Sequence, residues 1–223
     1  MPRFTSKLSS TAWLAIGAAI ALSAVVIFLE LAEELAEDET RQLDVAILRW
    51  VATHRSPALT SFFLGVSALG TWIFVSAATL CFCIAAVLRR QRRAAATLAA
   101  ATLGIPPLVV LLKPLYARPR PDVVAHLDFV DSASFPSGHA IAASVFFGTL
   151  ALIASRQILD DVHRALIVTA AALIIGLVAL SRIYLGVHYA SDVLGGVLVG
   201  TTWSLLVLLA THLVVSRARG DRS

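Results

Sequence analysis

Charge is scarce in this sequence. Asp, Glu, Lys and Arg make up 14% of its 223 residues, against about a quarter in an ordinary soluble domain. Hydrophobic residues reach 58%. That balance excludes a surface solvated only by water. Cysteine is nearly absent too. Cys81 and Cys83 are the only two, both inside an apolar block. They lack the Cys and His partners of a zinc site, so neither a disulfide framework nor a metal centre is expected. A net charge of +4 with no long basic run gives no reason to expect a nucleic-acid partner. There is no internal repeat and no low-complexity tract.

What is present comes in long apolar blocks. Residues 12–29 are almost unbroken apolar sequence, preceded by Arg3 and Lys7 and ended by Glu30. A cleaved signal peptide is the rival reading. The run exceeds a signal core and is long enough to span, so a retained first span is favoured. The next segment, 30–44, is acidic. Within 43–51, Leu43, Ile47, Trp50 and Val51 share one helical face while Asp44 and Arg49 sit elsewhere. This fits a short interfacial helix, or a solvated linker helix. Ser56-Pro57 is a helix-start signal. Apolar sequence then runs to Leu88. That is about 48 Å of helix at 1.5 Å per residue, too long for one straight crossing. The second span is assigned to 72–88, with 59–69 as a bent or embedded lead-in. Further spans are expected at 94–112, kinked by Pro106-Pro107, and at 140–155, 165–180 and 193–215. Gly196 and Gly200 give the last one a GxxxG spacing, a weak sign of close packing. The expected fold class is an all-α integral membrane bundle. It has six transmembrane helices, a short interfacial helix between the first two, and a single domain over 1–223.

Positive charge falls in alternate connections: Arg3 and Lys7, then Arg89 to Arg93, then Arg156 and Arg164, then Arg217, Arg219 and Arg222. By the positive-inside rule these are cytoplasmic. The expectation is a multi-pass protein of the cell (inner) membrane with both termini cytoplasmic. The 113–138 loop then faces outward, despite Lys113, Arg118 and Arg120. Two spans separate that loop from His188. An even number of crossings returns the chain to the same side, so the two segments can meet.

Three polar patches cap the apolar helices on that side. They are Lys113 to Pro121, Pro136-Ser137-Gly138-His139, and Ser181-Arg182 with His188 and Asp192. Ionisable groups near membrane depth are functional candidates. Lys113, Arg120 and Arg182 can converge on an anion, and phosphate fits best. Pairing with Asp122, Asp128 or Asp131, or snorkelling to the headgroups, is the alternative for each cation alone. Arg118 has nothing to distinguish it from an interfacial arginine. Ser137 is a candidate N-cap, and a helix starting there would aim its first N–H groups at a phosphate. Gly138 permits close backbone approach. His188 and Asp192 are spaced i, i+4 and share a face on a helix. The carboxylate can accept the Nδ1–H and leave Nε2 free as a nucleophile. His54, His126, His163 and His212 have no such setting.

Together these residues resemble the type 2 phosphatidic acid phosphatase family. Its pattern is lysine, six residues, Arg-Pro; then Pro-Ser-Gly-His; then Ser-Arg, five residues, His, three residues, Asp. All three parts stand between Lys113 and Asp192, in order. The resemblance implies a membrane enzyme that removes phosphate from a lipid phosphate or diphosphate without a metal or other cofactor. Phosphatidic acid, phosphatidylglycerol phosphate and undecaprenyl diphosphate are possible substrates. It also implies roles. Lys113, Arg120 and Arg182 bind phosphoryl oxygens, helped by Ser137 and Gly138. His188 attacks, oriented by Asp192. His139 protonates the leaving oxygen and later activates water. The same pattern resembles soluble vanadium haloperoxidases, against which the apolar spans argue. A lipid-phosphate binder or transporter, or a lipid phosphotransferase, would use the same cations.

Overall fold

A computed structural model describes residues 10–158 and 160–220. Its described residues form helices and connections, with no strand. In chain order the helices are α1 (Ser10–Ala36), α2 (Arg41–Thr53), α3 (Pro57–Ala68), α4 (Trp72–Leu88), α5 (Arg92–Leu103), α6 (Ile105–Tyr116), α7 (Gly138–Ser155), α8 (Asp161–Tyr184) and α9 (Ala190–Gly220). Five stretches are long and apolar enough to cross a membrane: Leu14–Ala36, Arg92–Tyr116, Gly138–Ser155, Asp161–Tyr184 and Ala190–Val214. The pair α3 and α4, bent by 49°, makes a sixth. Six spans and one short helix between the first two match the sequence expectation.

The helix ends differ from it. α1 runs on through the acidic stretch to Ala36, with Leu31 and Ala32 buried. The glutamates lie on the helix rather than ending it. Helices α7, α8 and α9 also extend beyond the expected 140–155, 165–180 and 193–215, because their polar first or last turns still complete backbone hydrogen bonds. Lys113 belongs to the last turn of α6, not to the loop. The third span breaks at Gly104, just before Pro106-Pro107. Proline lacks an N–H, so the helix restarts with the prolines in its first turn. Trp203 fills the break and donates Nε1–H to the Ala101 carbonyl at 2.8 Å.

α7 is the centre of the bundle. Of its apolar window 61% is buried, against 17% for α8. Its Ala140, Ala142, Ala143 and Ser144 are small enough for neighbouring backbones to come close. The GxxxG pair of α9 lies on this seam. A Cβ at Gly200 would stand 2.6 Å from Ser144 Cβ and 2.8 Å from the Ile141 carbonyl oxygen. A Cβ at Gly196 would stand 2.6 Å from the Ser137 carbonyl oxygen. The α7/α9 seam therefore fixes where the first turn of α7 sits relative to Asp192.

Helix α2 agrees with the sequence reading on its apolar side, where Leu43 and Trp50 are 67% and 66% exposed and free to meet lipid. It adds what the sequence did not show: its other side buries Asp44 along with Leu48 and Val51, so the carboxylate points into the protein. The reason is a partner for Asp44 on α9, described below.

Gly200→Val places branched carbons where the α7 backbone lies. The expected result is a loss of about 1–3 kcal/mol from overpacking, read as a lower Tm of detergent-purified protein. An unchanged Tm would show that the seam is looser than described.

Candidate active site

Four pieces of chain build the site: the end of α8, the 117–137 loop, the first turn of α7, and the turn leading into α9. α6 ends with Ala117 in the left-handed region at φ 45°, which turns the chain back over the bundle. The loop is then tied down at both ends. Ser134 N–H donates to the Arg118 carbonyl at 2.8 Å, and Leu127 N–H donates to the Leu185 carbonyl at 2.9 Å. Between α8 and α9, Gly186 sits at φ +78°. A Cβ there would stand 2.8 Å from the Ala125 carbonyl oxygen, so the turn both needs glycine's backbone and has no room for a side chain.

The turn delivers His188, which is 1% exposed. His188 precedes α9 rather than sharing a helix face with Asp192, as its i, i+4 spacing had suggested. Its Nδ1 lies 3.4 Å from Asp192 Oδ2 and 3.3 Å from Ser134 Oγ. Ser134 Oγ donates its one proton to Asp192 Oδ2 at 2.5 Å. Toward His188 it can therefore only accept, which assigns the proton to Nδ1 and the free lone pair to Nε2. Nε2 faces Arg120 Nη1 at 3.3 Å. Tyr189 N–H also donates to Asp192 Oδ2, at 2.8 Å. Ser134, fully buried, was missed by the sequence reading. A serine among Asp131, Ser132 and Ala133 carries no local signal.

Of the expected cations, Arg120 is the one that contacts Nε2. Arg120 donates Nη1–H to the Val187 carbonyl at 2.6 Å and Nε–H to the Ser132 carbonyl at 2.7 Å. Lys113 Nζ donates to Ser132 Oγ at 2.8 Å and to the Ala133 carbonyl at 2.7 Å. Arg182 is fully buried; its Nη1 donates to Asp128 Oδ2 at 2.7 Å and to Ser67 Oγ at 2.5 Å. Asp128 thus does pair with a cation, as one of the alternatives held. Burial, and after it Arg182, pushes the Arg120 guanidinium below the usual arginine range. Burial also pushes the His188 imidazole down to about 4. Asp192 opposes that shift, and Arg120 and Arg182 reinforce it.

Of the buried polar atoms without a partner among the described residues, three belong to the motif residues of the site. Arg182 Nε, Arg182 Nη2 and Ser137 Oγ have no hydrogen-bond partner among the described residues. Ser137 does occupy the N-cap position of α7, but its side chain makes no cap bond. Its backbone N–H instead donates to the Asp192 carbonyl at 2.9 Å. His139, in the first turn of α7, makes no side-chain hydrogen bond among the described residues. Leaving buried donors unmade costs about 1–3 kcal/mol each, more when charged. Donors unpaired in this way call for an acceptor-rich anion.

Arg118 is not an interfacial bystander. Its Nη1 donates to Asp192 Oδ1 at 2.6 Å and to Ser191 Oγ at 2.8 Å; its Nη2 donates to Asp44 Oδ2 at 2.9 Å. Its guanidinium also lies 4.3 Å from the Tyr189 ring centroid. Burial alone would lower its pKa, but Asp192 and Asp44 raise it beyond the usual arginine value. Asp44, 2% exposed, also accepts from the Ser191 N–H at 3.0 Å and from Ser191 Oγ. The histidines set aside in the sequence stay apart: His54, His126 and His163 are exposed. Among the described residues no group of His, Cys, Asp and Glu could hold a metal ion.

Known proteins resemble this chain in sequence and in fold. The model of the PAP2 superfamily matches residues 93–215. Phosphatidylglycerophosphatase B of Bacillus subtilis is 31% identical over 189 residues, covering 83% of this chain and 92% of its own. Lipid A 4'-phosphatase of Porphyromonas gingivalis is 32% identical, covering 65% and 62%. The crystal structure of a transmembrane PAP2-type phosphatidylglycerolphosphate phosphatase from Bacillus subtilis superposes with a TM-score of 0.80. It shows 28% identity over 84% of this chain and 94% of that one. That of Aquifex aeolicus LpxE gives 0.60 and 27%, over 74% and 94%. The fold, the ordered motifs and these relatives agree, and the chain belongs to the PAP2 superfamily as a multi-span membrane phosphatase.

Proposed function

We propose that this protein removes the terminal phosphate of a membrane lipid through a phosphohistidine at His188. The observation that carries the reading is Arg182. A fully buried guanidinium with Nε and Nη2 unpaired, close enough to bias both Arg120 and His188, is a built receptor for a phosphoryl group. Lys113, Arg120 and Arg182 take the equatorial oxygens, with Ser137 Oγ and the Gly138 N–H at the helix start.

The chemistry proceeds in two balanced steps. Nε2 of His188 forms a bond to phosphorus as the bond from phosphorus to the lipid oxygen breaks, and His139 gives that oxygen a proton. Then His139 takes a proton from water, the water oxygen bonds to phosphorus, and the N–P bond breaks to release inorganic phosphate. The cations stabilise charge on the transferring group, usually the largest catalytic effect. Asp192 stabilises the imidazolium formed in between. No residue in these steps needs a metal ion.

A phosphatidylglycerol phosphate type of monoester is the favoured substrate. Support comes from the likeness, over most of both chains, to the Bacillus subtilis enzyme of that name. Phosphatidic acid and undecaprenyl diphosphate present the same terminal group, and inorganic phosphate release across the three lipids ranks them. The charge bias of the connections supports cytoplasmic termini and an extracytoplasmic site in the cell membrane.

Three measurements test this reading. With a lipid monophosphate and a chelator present, His188→Ala is expected to lower kcat at least about 1,000-fold, and His139→Ala about 100- to 10,000-fold. Near-normal turnover by His188→Ala would falsify the nucleophile assignment, and binding without phosphate release by wild-type protein would favour a binder or transporter. The second concerns pH. The folded pKa of His188, about 4, lies below its unfolded value of 6.5, so the unfolded chain binds more protons between those values. The stability this burial confers is full above pH 6.5 and lost as pH falls toward 4. Wild-type Tm should therefore drop over that window by more than the Tm of His188→Gln; an equal drop would show that burial does not lower the imidazole's pKa. Third, in a Cys81→Ala/Cys83→Ala background, Phe129→Cys in the site loop should react with an impermeant maleimide from outside intact spheroplasts. Arg156→Cys should react only after lysis, and the reverse pattern would invert the topology.

A further inference from the structure

Asp44 belongs to no motif, lies on the short helix α2, and is nonetheless among the most buried charges of the molecule at 2% exposure. Its two oxygens are fully used. Oδ1 accepts from Ser191 N–H at 3.0 Å, and Oδ2 accepts from Ser191 Oγ and from Arg118 Nη2, the latter at 2.9 Å. Arg118 continues the chain to Asp192 Oδ1 at 2.6 Å. Asp192 Oδ2 faces Ser134 Oγ at 2.5 Å and His188 Nδ1 at 3.4 Å. A continuous line of charged contacts thus runs from α2 to the imidazole.

Counting charge along it gives the line a purpose. Asp192 paired with Arg118 alone would be neutral, and a neutral pair offers little to an imidazole that becomes cationic when its Nε2 is phosphorylated. Asp44 returns the group to one net negative charge. Arg118 meanwhile occupies Oδ1, so that Oδ2 is the oxygen presented to Nδ1. Burial makes the count matter, since Asp44, Arg118 and Asp192 side chains are 3%, 15% and 0% exposed and water screens them weakly.

We propose that Asp44 and Arg118 are positioning residues for the nucleophile: Asp44 balances Arg118, Arg118 orients Asp192, and the three together present a single negative charge to His188. The proposal rests on the reading of His188 as nucleophile. A purely structural clamp fastening α2 to α9 is the competing role, and the two differ in what charge does.

The test measures kcat, KM and Tm of purified full-length Asp44→Asn, Asp44→Asn/Arg118→Gln and Asp44→Asn/Arg118→Lys with a lipid monophosphate in mixed micelles. Asp44→Asn leaves the group neutral, and kcat should fall about 10- to 100-fold with KM within about twofold. Asp44→Asn/Arg118→Gln restores one net negative charge and should recover at least about fivefold over Asp44→Asn. Asp44→Asn/Arg118→Lys stays neutral and should recover nothing. Wild-type kcat in Asp44→Asn overturns the proposal, as do double variants in which lysine equals or exceeds glutamine, since a clamp is served at least as well by a lysine that still pairs with Asp192. The comparison of the double variants stands even where the single variant folds poorly. His188→Ala, run alongside, separates the two levels. If it is active, the nucleophile reading fails; if it is inactive while the lysine double variant equals or exceeds the glutamine one, only the positioning role fails.

Discussion

A carboxylate or guanidinium inside an apolar bundle must be matched by an opposite charge or by hydrogen bonds, because removing it from water otherwise costs several kcal/mol. That constraint organises one end of this molecule. Asp192 and Arg182 are fully buried, Asp44 nearly so, and each is held by two or more partners from different parts of the chain. The partners come from α3, the 117–137 loop, the turn before α9 and the first turn of α9, and they reach Asp44 on α2. Satisfying the charges is therefore what draws those pieces together, and the apolar helices beneath supply the rigid frame.

At the site the matching is incomplete. Asp44, Arg118 and Asp192 close among themselves, whereas Arg182 keeps two nitrogens and Ser137 its hydroxyl without a partner among the described residues. Desolvated donors that the protein leaves unmade point to a ligand rich in acceptors. The division is spatial as well. The closed group lies behind His188 on its Nδ1 side, and Arg120 lies in front of Nε2. One side of the imidazole is thus oriented by fixed charges, and the other faces the cations that suit a phosphoryl group.

Much of this was legible in the residues. The apolar blocks revealed the spans, because a membrane-crossing helix leaves its length in the sequence. Ser56-Pro57 and Pro106-Pro107 marked a start and a break that the structure contains. The parity of crossings brought the 113–138 segment to His188, and Arg120 does contact it. Other features were hidden. Asp44 looked like the polar side of an interfacial helix, since helical periodicity says which residues share a face but not which face meets protein. Arg118 looked interchangeable with any interfacial arginine until Asp44 and Asp192 appeared on either side of it. His188 and Asp192 looked like neighbours on a helix, and the turn at Gly186 instead places His188 ahead of α9.

The order of residues was enough for the solvent, the span plan and the chemical inventory: two histidines, an aspartate and three cations in a fixed order near helix ends. Those follow from composition and spacing, which are local. Which nitrogen of His188 carries the proton, which donors stay unpaired, and which charges balance Asp192 emerge once the chain is folded. Each of those depends on side chains brought together from distant segments, by burial that makes an unmatched charge too costly to leave alone.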